Sequence, residues 1–86
     1  MVQTFKEWKA AVTANRQKLA AVEDYLNDAG KERLEVFLAL EEITEFADDA
    51  KDAIDTIEEV DGLIFDSPQA AGPIRALHRI AEQSEE

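Results

Sequence analysis

Apolar residues recur along the first third of the chain at Phe5, Trp8, Val12, Leu19, Val22, Leu26 and Ala29, with Asn15 in one polar slot, so that steps of three and four alternate. That rhythm keeps one side of an α-helix apolar and is the heptad pattern of a coiled-coil seam. Thr4 and Glu7 have the spacing of a capping box, in which each side chain satisfies the other residue's free backbone N–H at a helix start. Gly30 supplies the stop. A first helix is therefore expected over about 5–29. Asn15, the polar member of the seam, is a candidate for fixing register, and Phe5 and Trp8 read as packing residues at the seam's end.

From Lys31 to Asp61 the chain runs thirty-one residues without Gly or Pro. Val36, Leu40, Ile43, Ala47, Ala50, Ile54 and Ile57 keep the four-three alternation, and Glu41, Glu45, Asp48, Asp52, Asp55 and Glu59 repeat it half a turn away. One continuous helix, 31–61, with a core stripe and an acidic stripe is the simplest reading. Phe37, Ala39, Phe46, Ala53 and Val60 widen its apolar face beyond what a two-helix seam uses. Gly30 leaves room only for a tight connection, so the two long helices are expected to form an antiparallel hairpin. Gly62, in a left-handed cap, ends the second. Leu63, Ile64 and Phe65 then make a short apolar patch that folds back on the core before the Asp66-Ser67-Pro68 turn, and Gly72-Pro73 opens a short last helix to about 83. Ile74, Leu77, Ile80 and Ala81 form its apolar side, and the polar end from Gln83 to Glu86 frays.

Size and charge sharpen this picture. An all-α chain of 86 residues builds only a small core, and its wide second helix asks for more cover than one short neighbour gives, so a homodimeric helical bundle is expected. Without cysteine there is no disulfide framework or thiolate metal site, and no apolar run suits a signal peptide or a membrane span, which points to a cytoplasmic protein. The net charge is −11 and unevenly spread: residues 1–30 balance four acids with four bases, whereas 31–62 hold twelve acids against three bases. Direct nucleic-acid binding is disfavoured, because phosphate contacts need clustered Lys and Arg.

Two acidic motifs bear on chemistry. Glu42-Ile43-Thr44-Glu45 and Glu58-Glu59-Val60-Asp61 lie twelve residues apart, and the stretch 39–65 that contains them resembles the MazG-like all-α nucleotide pyrophosphohydrolases. In that family an ExxE helix and an ExxD helix hold Mg²⁺ on the phosphates of a nucleotide. The resemblance implies Glu42, Glu45, Glu58 and Asp61 as metal ligands, which suits a hard cation that takes several carboxylate oxygens. It requires the chain to reverse near Ala50 to Ala53, since on one straight helix Glu42 and Glu58 stand roughly 24 Å apart. Otherwise no catalytic group, metal or cofactor is indicated. His78 has no Ser, Cys or second His constellation beside it, and 48–59 lacks the glycine-turned loop of an EF-hand.

The leading expectation is a non-enzymatic binding module. Like charges four residues apart mildly destabilise a helix, so a stripe of six acids with few bases beside it is not what stability alone selects. Glu41, Glu45, Asp48, Asp52, Asp55 and Glu59 are therefore expected to engage a basic protein surface, as an inhibitor or nucleic-acid mimic covers a nuclease, a toxin or a DNA-binding protein. In size, acidity and the Asp-Ser-Pro turn the chain is similar to nuclease-colicin immunity proteins, from which the long second helix departs. A helical scaffold or assembly chaperone is the alternative in which the apolar seam receives a partner helix.

Overall fold

The structure, a computed structural model, describes residues 4–60, 62 and 64–83. Among them it has four α-helices and no strand: α1 (Phe5–Ala21), α2 (Asp28–Phe46), α3 (Ala50–Glu59) and α4 (Pro68–Gln83), with a 3₁₀ turn at Glu23–Tyr25 between the first two. The all-α class is as expected. The hairpin of two long helices is not, because its first member ends at Ala21, its second is divided in two, and the final helix begins at Pro68.

Each departure has a local cause. Thr4 and Glu7 form the expected capping box, with both bonds at 3.1 Å. Asn27, however, starts a new helix: its backbone is extended and its Oδ1 accepts the Gly30 N–H at 2.9 Å. An N-cap has non-helical dihedrals, so the seam cannot pass through it as one helix. Gly30 thus lies in the first turn of α2 and does not end α1. A Cβ there would lie 3.0 Å from Leu26 Cδ2 and 3.1 Å from Leu26 Cβ, a tight contact that glycine avoids. Asn15 sets no register. It is exposed, and its amide donates to the Ala11 carbonyl of its own helix at 2.8 Å.

The break at Ala47–Asp49 arises in the same way. Asp49 Oδ1 accepts the Asp52 N–H at 2.9 Å, and Asp52 Oδ2 accepts the Asp48 N–H at 3.3 Å. Ala47 and Asp49 are both extended. The first bond satisfies a donor that a fresh helix N-terminus leaves free, the second ties down the residue before the cap, and the Asp52 charge suits the positive end of the helix dipole. At the other end of α3, Val60 is extended and no described glycine has positive φ, so Gly62 is not a left-handed cap. The expectations at Asp61, Leu63 and 84–86 fall outside the described residues.

α4 runs through Pro73, which was expected to start it. Pro68 takes the first-turn position that its fixed φ suits, and Ala70, fully buried, carries the apolar stripe of Ile74 and Leu77 back one turn. Pro73 forfeits one helical hydrogen bond there, and its own carbonyl accepts the Trp8 Nε1–H at 3.0 Å, tying α4 to α1.

The core lies where the helices meet. Trp8 and Val12 from α1, Val36, Phe37 and Leu40 from α2, Ala53, Ile54 and Ile57 from α3 and Ala70, Leu77 and Ile80 from α4 form one buried cluster, against which Ile64 and Phe65 pack. Phe5 stacks on Trp8 with centroids 5.9 Å apart. The second stripe keeps facing the core across the break, with Ala47 and Ala50 both buried. Phe37 and Ala53, two of the five residues that widen this face, are buried within the chain, whereas Phe46 and Val60 remain exposed.

Candidate functional site

The six acids of the predicted face divide between two helices and the joint linking them. Glu41 belongs to the fold: its carboxylate takes the Arg16 Nε–H at 2.9 Å and Nη2–H at 3.4 Å, the one ion pair among the described residues. Asp52 is engaged with the backbone N–H of Asp48, beside the α3 N-cap. Glu45, Asp48, Asp55 and Glu59 are exposed, as are the neighbouring Glu42 and Glu58. The straight stripe of six is thereby reduced to free carboxylates on α2, on the joint and on α3.

Their placement along each helix matters as much as their number. Glu45 lies in the last turn of α2, and Glu58 and Glu59 close α3, where the aligned peptide dipoles already leave partial negative charge. No base occupies the last turn of either helix. Acids at these ends repel both one another and the helix carbonyls, and an external cationic group relieves both repulsions.

The residues implied by the pyrophosphohydrolase resemblance are placed apart from any metal cluster among the described residues, where no group of three or more His, Asp or Glu side chains is arranged to hold an ion. Glu42 and Glu45 are on the exposed side of α2. Glu58 lines a shallow cleft of about 350 Å³ between α3 and α4 with Asp66 and the exposed His78. Asp61 is outside the described residues.

A second surface was missed in the sequence. The flank of α1 beside the core forms an open groove of about 620 Å³, with Phe5, Lys6 and Lys9 at one end, Ala10, Thr13 and Ala14 along it, and Asp48 of the α2–α3 joint at its edge. Small residues at steps of three and four were its signal, hidden because they are neither apolar enough for a core stripe nor charged. Beside this joint Phe46 stands 86% exposed. No helix among the described residues is long and apolar enough to cross a membrane. Compared with protein-family models, with curated proteins and with solved structures, the chain matches none. The surface itself must carry the functional reading.

Proposed function

We propose that the protein is a non-enzymatic acidic binding module that covers a basic surface on another protein, as an inhibitor or nucleic-acid mimic does. The observation that carries this reading is the set of exposed acids at the C-terminal ends of α2 and α3, with no base in either last turn. Such acids are unfavourable for the isolated chain and favourable once a cationic surface lies against them. Glu45 and Glu59 are the contact residues at these ends, Asp48 on the joint and Asp55 within α3 extend the contact, and Glu41 and Asp52 hold the fold beneath them.

The test is affinity capture from host lysate at low and at high salt, comparing wild type with a variant in which Glu45, Asp48, Asp55 and Glu59 become Gln. Asp52 is left intact because its carboxylate holds the Asp48 N–H beside the α3 N-cap. A basic protein retained only by wild type, released by salt, and displaced by an oligonucleotide where it binds one, is the expected outcome. Equal capture by both proteins sinks the reading.

A second reading, Mg²⁺-dependent hydrolysis of a nucleoside triphosphate, is favoured by the helix break at Ala47–Asp49, which puts Glu42 and Glu45 on α2 and Glu58 on α3. Incubation with Mg²⁺ and a nucleotide panel decides it. Pyrophosphate release lost in both Glu45→Gln and Glu58→Gln would replace the binding reading.

A further inference from the structure

Phe46, exposed at the end of α2, and the α1 groove are surfaces of opposite character on the same chain. Phe46 ends α2 with Glu42 four residues before it and Glu45 next to it, both exposed and neither ion-paired among the described residues. The groove offers the opposite: small side chains at Ala10, Thr13 and Ala14, which let another element come close, and the ammonium groups of Lys6 and Lys9. The two surfaces adjoin, since Asp48 at the groove's edge is two residues from Phe46 in the chain. They do not satisfy each other within one molecule, because Phe46 is 86% exposed and does not line the groove.

A surface bearing both a knob and its socket is self-complementary, which is what a two-fold interface requires. We infer that the chain forms a two-fold homodimer in which Phe46 of each copy seats in the α1 groove of the other, with Glu42 and Glu45 against Lys6 and Lys9. A foreign basic segment would answer the acids around Phe46 and leave the basic groove unused, whereas a second copy uses both. Each aromatic ring contributes about 150–250 Å², so two seatings supply a substantial part of the 1,200 Å² or more, roughly, of a specific interface. The association belongs at the weak end of such interfaces, with Kd on the order of 10 μM. Glu45 is shared with the acidic-module reading, whereas Phe46 and the α1 groove belong to the dimer alone and Asp55 and Glu59 on α3 take no part in it, so the two stand or fall on different substitutions.

Sedimentation equilibrium at physiological salt, from about 5 to about 200 μM, tests it around that Kd. Wild type is expected to rise over this range from a mass between one and two chains toward that of two, and Phe46→Ser to remain at one. Because Phe46 is exposed, that change leaves the fold intact, which circular dichroism verifies. The decisive pair is Lys6→Glu/Lys9→Glu and Glu42→Lys/Glu45→Lys. Each alone places like charges across both contacts and is expected to dimerise at least tenfold more weakly than wild type. Mixed in equal amounts they restore opposite charges at both contacts, with the same total charge as two wild-type chains, and are expected to form a one-to-one dimer. A wild-type mass of one chain throughout, a dimer unaffected by Phe46→Ser, or a folded mixture that fails to associate would each overturn the inference.

Discussion

Adjacent side chains on α2 show how unequally single residues contribute. Leu40 is fully buried among the helices, and Leu40→Ala removes its methyl groups and leaves a cavity, at a cost of about 2–5 kcal/mol. In a domain this small each kcal/mol lowers Tm by roughly 4–8 °C, so thermal melting should show a loss of more than about 10 °C. Glu41, one residue on, holds Arg16 in a pair whose side chains are 30% and 19% exposed. Solvent screening limits such a pair, and Glu41→Gln should cost less than about 1 kcal/mol in the same melt. A larger loss would show that this acid matters to stability far more than its exposure suggests. Leu40 was legible from periodicity alone. The pairing of Glu41 was not, because a charge stripe read along one helix says nothing about a base brought up from another.

At the level of elements, one pattern was read in one place and overlooked in two. Thr4 with Glu7 announced a helix start, and Asp49 with Asp52, an acceptor followed three residues later by an acid, has the same form. It was masked by an unbroken stripe and by the absence of Gly or Pro nearby. Asn27 was masked by Gly30, whose usual place past a helix end outweighed the cap three residues earlier. Short polar side chains start a new helix by accepting backbone donors, a device that leaves hydrophobic spacing untouched. The buried stripe was therefore correct while the length of the helix was not. Asp49→Ala should destabilise the fold by about 1 kcal/mol, whereas Asp49→Asn, which retains the acceptor, should lie within a few tenths of wild type. Urea titration followed by circular dichroism separates the two, and equal midpoints would mean that α3 does not depend on this cap.

For the molecule as a whole, charge opposes folding. A net charge of −11 with one ion pair among the described residues makes intramolecular repulsion the larger electrostatic effect. Tm should rise as NaCl increases from about 0.01 to about 0.15 M, over which the screening length falls from roughly 30 to 8 Å. A fall would show that attractive pairs dominate instead. Closure of the bundle can be followed separately, through the bond from the Trp8 indole to the Pro73 carbonyl. It joins positions sixty-five residues apart in a chain of eighty-six, so it forms only after most of the chain has been brought together. Trp8 is the sole tryptophan, and Tyr25, the sole tyrosine, is 89% exposed. The protein consequently carries its own optical probe: indole emission reports the docking of its last helix on its first, while backbone dichroism reports helix formation, and a lag between the two signals in stopped-flow refolding would time the final step of assembly.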